Sequence, residues 1–385
     1  LNNGHTCLPA GKLCEAAASL LEVELELAQD ALYTLCENFT LVREEFDDKA
    51  YIFLQRQHLS EEYIAARMKA LLRLPPPPIG GADIQIAAIE EERGIRYADK
   101  QREAIRAAME QGVLLLTGGP GTGKTTTLNA IIHILKQAGQ RVFLAAPTGR
   151  AAKRMSELTG EEAKTIHRLL EYNPQDGYKR NDENPLEGDA LIVDECSMID
   201  ILLMNNLLKA VPVGMRLVLV GDIDQLPSVG AGNVLRDVID SQRIPVVRLV
   251  RIFRQAQKSR IVMSAHAINR GKFPDTSNGR DTDFFFMKEE DPERAAESIV
   301  RLVKERLPRA YRESPDRIQV LTPMQRGVVG AANLNLLLQQ ALNPSGPSLG
   351  RGGYTYRQGD RVMQLCNNYA KEVFNGDLGY IREVD

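Results

Sequence analysis

At 385 residues, 43% of them hydrophobic and 26% charged, the chain can bury two or three separate cores and is too polar for a membrane bundle. No apolar run reaches membrane-spanning length and nothing resembles a signal peptide, so a cytoplasmic protein with no membrane partner is expected. A net charge of −3 does not announce a nucleic-acid binder, although overall charge says little about any single groove.

From residue 14 to about 72, apolar residues recur at three- and four-residue spacing with charged ones between, which predicts a small helical domain. Cys7, Cys14, Cys36, Cys196 and Cys366 lie far apart without paired spacing, as free thiols of a reducing compartment do, and His5, Cys7 and Cys14 fit no zinc pattern. Four prolines at 75–78, then Gly80 and Gly81, cannot continue a helix. They predict a stiff-then-flexible connector, so a helical domain with its linker is expected over 1–78.

A helix over about 99–110 carries Gln101 ahead of the apolar run 113–117, which is sized for a buried strand. Gln101 has an amide that both donates and accepts, as the edge of adenine requires. The next residues, Gly118-Gly119-Pro120-Gly121-Thr122-Gly123-Lys124-Thr125, fit the phosphate-loop pattern G-x-x-x-x-G-K-[ST], and Thr126 continues into a helix that Gly139 stops. Glycines let backbone N–H groups turn inward on phosphate oxygens at a helix N-terminus, where the dipole also favours negative charge. Lys124 is then expected at the β- and γ-phosphates and the Thr125 hydroxyl on a bridging Mg²⁺, which makes ATP and Mg²⁺ the expected cofactors.

The same design recurs downstream. Strand 142–146 leads to Thr148 and Arg150, strand 190–193 to Asp194 and Glu195, and strand 217–220 to Asp222, Asp224 and Gln225. Buried strands alternating with helices imply right-handed parallel crossovers, whose ligands bind at the C-terminal ends of the strands. Asp194 is expected to hold Mg²⁺ directly or through water, Glu195 to polarise the water that attacks the γ-phosphate, and Gln225 to sense that phosphate. Thr148, Arg150 and a second polar turn with Thr165 and His167 sit where they could touch phosphates or serve as plain helix caps. Strong turn chemistry at Asn173-Pro-Gln-Asp-Gly177, between Tyr172 and Tyr178, predicts a protruding β-hairpin within 171–185.

Residues 243–260 contain five Arg plus Lys258 and no acid, so something anionic is expected nearby. Beyond them, 318–323 reads as the first strand of a second core, 330–342 as a helix, and 354–385 as short strands broken by Gly359, Gly376 and Gly379, the start of a small barrel. The opening Leu1 and the strand-like close at 379–385 read as cuts from something longer.

In this order the motifs resemble those of superfamily 1 DNA helicases, specifically the RecD-like group that includes the motor of TraA-type conjugation proteins. The resemblance rests on the phosphate loop, Ala146-Pro-Thr-Gly-Arg-Ala-Ala152, Thr165-Ile-His167, Val193-Asp-Glu-Cys-Ser-Met198, Gly221-Asp-Ile-Asp-Gln-Leu-Pro-Ser-Val229 and Ile252-Phe-Arg-Gln255, and covers roughly 101–325. It implies an α/β fold. A RecA-like parallel-sheet motor domain would occupy 79–240, with the hairpin as an insertion at 171–185. A partial second RecA-like domain would follow over 241–353, then the start of a small SH3-like barrel over 354–385.

The resemblance also implies that Gln101 reads adenine, that Phe253 stacks on it and that Arg254 contacts the γ-phosphate. Thr148, Arg150, Thr165 and His167 would grip the backbone of single-stranded DNA, and the hairpin of Tyr172 and Tyr178 would be the pin that splits the duplex fork. The implied function is an ATP-dependent DNA helicase moving 5′ to 3′ in repair or recombination. An ATP-gated module that clamps a single strand without unwinding is the alternative. The group's later motifs, a Val-His-Lys-x-Gln-Gly-like stretch and a second arginine finger, do not occur before Asp385, so the chain is expected to stop inside the second motor domain.

Overall fold

The computed structural model describes residues 4–384 other than 280, 367, 369, 370, 372 and 374, and leaves the side chains of Arg254 and Gln255 undescribed. The chain divides into two units, one running to Asp275 and one from Thr276. The first opens with β1 (Cys7–Pro9), α1 (Ala10–Leu21), α2 (Leu25–Glu37), β2 (Leu41–Phe46), β3 (Lys49–Leu54) and α3 (Gln55–Arg73). The helices fall where the spacing predicts them. The antiparallel sheet of order β1-β3-β2 was not legible, because strands of six residues or fewer are too short for periodicity to separate them from helix. Its tight turn is carried by Asp47 and Asp48, both at positive φ, where short polar side chains are tolerated.

The opening helices are tied to the central sheet. On α3, Ile64, Met68 and Leu71 recur at helical spacing and join the core beneath that sheet. The proline part of the connector is also held: Pro76 is buried, and the Ile79 N–H donates to Met109 O at 3.0 Å. The buried Arg216 guanidinium donates to Pro77 O at 3.1 Å and to Gln111 O at 2.6 Å. Burial lowers the pKa of Arg216, whose two terminal nitrogens donate to carbonyls rather than to a carboxylate while its buried Nε has no partner among the described residues.

After α4 (Ala82–Arg93) and α5 (Asp99–Glu110), the central elements run β4 (Val113–Gly118), α6 (Lys124–Gln137), β5 (Val142–Ala146), α7 (Gly149–Thr159), β6 (Ala163–Thr165) and α8 (Ile166–Leu169). The hairpin β7 (Tyr172–Asn173) and β8 (Gly177–Tyr178) precedes β9 (Ala190–Val193), α9 (Ile201–Ala210), β10 (Arg216–Gly221), α10 (Val234–Asp240), β11 (Val246–Leu249), α11 (Arg254–Gln257) and α12 (Arg260–Asn269). Six strands form one parallel sheet in the order β11-β4-β10-β9-β5-β6. Its central strands carry continuous apolar runs because both faces are covered: Val113 and Leu115 share a core with α3 and α9, and Leu114 and Leu116 share one with α5 and α6. Parallel strands present all their C-terminal loops at one edge, and the phosphate loop and the polar turns after β5, β9 and β10 are such loops.

The second unit holds α13 (Pro292–Arg301), a single π-helical turn, α14 (Leu307–Tyr311) and α15 (Ala331–Leu342). Two antiparallel pairs follow, β12 (Ser348–Arg351) with β13 (Tyr354–Arg357) and β14 (Arg361–Met363) with β15 (Leu378–Tyr380). The helix at 331–342 and the strands from 354 onward lie where the sequence places them, whereas β12 lies ahead of the expected start of the barrel. The expected strand at 318–323 belongs to no sheet among the described residues, since a parallel strand needs neighbours to complete its hydrogen bonds and none flanks it. Among the described residues no helix is long and apolar enough to cross a membrane.

Arg216→Ala would remove the donor to the Pro77 and Gln111 carbonyls and leave a cavity at a buried side chain, and is expected to lower the unfolding free energy by about 2–4 kcal/mol. A urea midpoint that drops at unchanged m-value checks this. A midpoint equal to wild type would show that the connector holds without it.

Candidate nucleotide and nucleic-acid site

The phosphate loop joins β4, flanked by β11 and β10, to α6 at the C-terminal edge of the sheet. Its glycines are dictated by crowding, because an added Cβ would stand 2.7 Å from Leu249 O at Gly118, 2.8 Å from His266 Cε1 at Gly119, 2.5 Å from Ala256 Cβ at Gly121 and 2.5 Å from Gln101 Nε2 at Gly123. Gly121 and Gly123 also have φ of +73° and +83°, the left-handed region other residues avoid. Thr125 and Thr126 begin α6 exposed, and Thr122 is buried with its hydroxyl donating to Gly119 O at 2.8 Å. The resulting cradle at the start of a 14-residue helix suits a phosphate chain.

Lys124 folds back over its own loop. Its ammonium donates to Gly118 O and, at 3.4 Å, to Gly119 O, and lies 3.8 Å from the carboxylate of buried Asp222. The sequence placed Asp222 in the loop after its strand without giving it a role, although a carboxylate at the end of a fully buried strand was the available signal. Gln101 is buried: its Oε1 accepts from the Ala98 N–H at 2.9 Å, capping α5, and its Nε2 donates to Gly123 O at 3.3 Å. The amide expected to read adenine therefore also ties α5 to the phosphate loop. Phe253, the expected stacking residue, lies beside it with its ring 3.0 Å from where a Gly123 Cβ would stand, and the Arg251 guanidinium carbon lies 5.8 Å from its centroid. The side chain of Arg254 lies outside the described residues.

The two carboxylates after β9 are partly to mostly buried, and burial is the main reason both pKa values are raised. For Asp194 the Glu195 N–H, which it accepts at 2.8 Å, and the charges of Lys124 and Arg154 oppose the rise. For Glu195 the charge of Asp194 adds to it, while Lys124 and Arg154 oppose it. Glu195 holds φ at +55°, which costs a non-glycine residue about 1–2 kcal/mol. A strained conformation at a carboxylate beside the phosphate loop is the kind retained at working sites. Gln225 is exposed at the end of the next strand, its Oε1 accepting from Ser197 Oγ at 3.5 Å. The Thr125 hydroxyl and the Asp194 carboxylate are the kinds of oxygen donor that Mg²⁺ takes beside phosphates, while Asp222 faces the Lys124 ammonium.

At the sheet's edge, β6 pairs with β5, Thr165 opposite Ala146, so the turns of Thr148 with Arg150 and of Thr165 with His167 are neighbours. Both threonines are helix N-caps: Thr148 accepts from the Ala151 N–H at 3.2 Å and Thr165 from the Arg168 N–H at 3.1 Å. Arg150 is exposed. His167 meets the rings of Tyr172 and Tyr178 at 5.5 and 5.8 Å, and the tyrosines lie 4.7 Å apart. Burial lowers the pKa of His167, so it favours the neutral ring that such packing suits. Tyr178 packs on the core, both tyrosines are half-buried, and 174–176 form the exposed tip. Within the basic stretch, Arg243, Arg248, Arg251 and Lys258 are exposed, and Arg260 pairs with Asp275.

Residues 101–231 match the family profile of an AAA domain, and residues 334–385 that of an ATP-dependent RecD-like DNA helicase SH3 domain. The chain is 38% identical over 339 residues to the ATP-dependent RecD2 DNA helicase of Deinococcus radiodurans, covering 87% of this chain and 45% of that protein. To the RecBCD enzyme subunit RecD of Mycobacterium tuberculosis it is 31% identical over 382 residues, covering 87% of this chain and 63% of that one. It thus spans about half to two thirds of the curated relatives it matches. A structure of two Pif1 helicases at forked duplex DNA overlays 76% of this chain and 72% of that one at a TM-score of 0.44 and 19% identity.

Because the folded state raises the pKa of Asp194 and Glu195, it binds their protons more tightly than the unfolded chain does. Their contribution is favourable below the ordinary carboxylate range and is lost as pH rises through the raised values. Glu195→Gln is therefore expected to raise the melting temperature near neutral pH, with the gain fading as pH falls towards about 4. An equal effect at both pH values would place Glu195 outside the buried cluster.

Proposed function

The chain belongs to the RecD-like group of superfamily 1 helicases, and we propose that it hydrolyses ATP to move along single-stranded DNA in the 5′-to-3′ direction and open duplex ahead of it. The carrying observation is the gathering of the phosphate loop, the Asp194–Glu195 pair, Gln225 and Phe253 at the C-terminal ends of adjacent parallel strands. In this reading 79–240 is the first motor domain, 241–353 part of a second and 354–385 part of the small barrel. The setting is cytoplasmic DNA repair or recombination.

ATP would be held by Gln101, residues 118–126 and Phe253, and Mg²⁺ by Thr125 and Asp194; bound there, the ion neutralises charge on the β- and γ-phosphates. The chain's own residues divide the remaining work. Lys124 leaves its loop carbonyls and Asp222 for phosphate oxygens. Glu195, whose partial burial raises its proton affinity, accepts a proton from the attacking water. Gln225 orients that water, and Arg254 meets charge developing on the γ-phosphate. Thr148, Arg150, Thr165 and His167 hold the DNA backbone beside these groups, so that closing on nucleotide and gripping DNA involve the same loops.

Lys124→Ala is expected to eliminate ATP hydrolysis without unfolding the chain. Glu195→Gln is expected to retain ATP binding and slow turnover by about 10² to 10⁴, the usual share of a general base. Steady-state hydrolysis, with and without single-stranded DNA, decides both, and near-wild-type turnover in either variant would sink the assignment. The hairpin makes a separate prediction. The tip at 174–176 is the most exposed part of the hairpin, and we place the wedge there, where Pro174 offers an apolar edge. Replacing 174–176 with Gly-Ser-Gly is expected to stop strand displacement while DNA-stimulated hydrolysis persists. Parallel loss of both would assign the hairpin a structural role, and hydrolysis without displacement in the wild type would favour a DNA clamp.

A further inference from the structure

The segment after β11 lies over the phosphate loop. Leu249 lies against Gly118, Phe253 against Gly121 and Gly123, Ala256 and Val262 against Gly121, and His266 against Gly119. One of these contacts is a directed hydrogen bond from a side chain on α12: His266 Nε2 lies 3.0 Å from Pro120 O. A carbonyl only accepts, so Nε2 carries the proton, whether the ring is neutral or charged.

The peptide plane passes this restraint on to the next residue. A trans peptide sets its C=O and the following N–H on opposite sides, so whatever holds a carbonyl outward also aims the next residue's N–H inward. Three carbonyls of the loop are held in this way. Gly123 O accepts from the Thr127 N–H at 3.0 Å, the Thr127 hydroxyl at 3.0 Å and Gln101 Nε2 at 3.3 Å, which fixes the Lys124 N–H. Gly121 O accepts from the Phe253 N–H at 3.2 Å, which fixes the Thr122 N–H. Pro120 O accepts from His266, which fixes the Gly121 N–H. The first two carbonyls are held by a backbone donor; the third depends on a side chain from 146 positions away in sequence.

We propose that His266 is a positioning residue of the nucleotide site, whose Nε2–H holds the Pro120–Gly121 peptide with its N–H facing the bound phosphates. The role rests on the reading of this loop as an ATP site. Gly119 is part of the device, since any side chain there would occupy the place of the imidazole. Because His266 is carried by α12, phosphate affinity becomes tied to where that helix lies.

Titrating a fluorescent ATP analogue with Mg²⁺ into the full chain tests this, with melting temperature as the folding control. His266→Phe keeps a ring over Gly119 and removes the donor; losing one aimed N–H is expected to weaken binding about tenfold. KM should rise by more than kcat falls. Gln places an amide nitrogen near Nε2 and Asn places one near Nδ1, so His266→Gln is expected to recover most of the affinity and His266→Asn to bind as weakly as Phe. Wild-type affinity in the Phe variant would overturn the proposal, since ring shape alone would then suffice, as would equal weakening in Phe and Gln, since a restored donor would then recover nothing. Indistinguishable binding by wild type and Lys124→Ala would instead overturn the ATP-site reading beneath it.

Discussion

The constraint on which the rest of the molecule depends is crowding at one loop. To aim several backbone N–H groups at a single point, the chain must turn tightly at 118–125, and neighbouring elements must come close enough to hold its carbonyls outward. Those neighbours arrive from three directions: Gln101 from α5, Thr127 from α6, and Phe253 and His266 from the segment after β11. Each approach removes the space a side chain would need, which is why four of the loop's residues have no room for one. The glycines and their clamps are two sides of one packing solution, and replacing either disturbs the other.

Charge is arranged around the same point. Lys124 lies near three acidic groups, ion-paired with Asp222 and acting on Asp194 and Glu195, both of which have raised pKa values. A strong ion pair with Asp194 or Glu195 would depress that carboxylate; instead desolvation is the larger effect for both. Lys124 is thus shared rather than committed. Its bonds to Gly118 O and Gly119 O join an ion to peptide dipoles, which a phosphate can replace at small cost because phosphate carries full charge. A committed partner would have made the loop stable and idle.

The six-stranded sheet was largely legible because its central strands are buried on both faces and its motifs are short, local and tied to backbone geometry. The runs 113–117, 190–193 and 217–220 each became strands within a residue or so, and the carboxylates and glycines fell at their ends. Three things escaped. The sheet of β1, β2 and β3 has strands too short to show a period. Arg216 looks like any strand-opening arginine, and only the tertiary path of the connector reveals that its head lies among carbonyls. His266 sits in an ordinary helical stretch, with a partner 146 positions earlier. Long-range contacts of this kind leave no local trace, since the two residues share neither spacing nor motif.

The hairpin shows how a local rule can be right about an element and incomplete about its surroundings. Turn chemistry placed β7 and β8 correctly, and the tip is exposed. Yet two aromatic rings on a two-stranded ribbon cannot remain in water while an uncharged imidazole is within reach, since such rings gain both apolar burial and edge-to-face contact. His167 supplies that ring from the turn after β6, and its own burial keeps it neutral enough to stay. The ribbon is therefore fastened at its base to the turn carrying Thr165. In the proposed reading that turn holds the DNA backbone, so strand-gripping and strand-splitting elements share one aromatic joint, and displacement at one reaches the other without passing through the nucleotide loop.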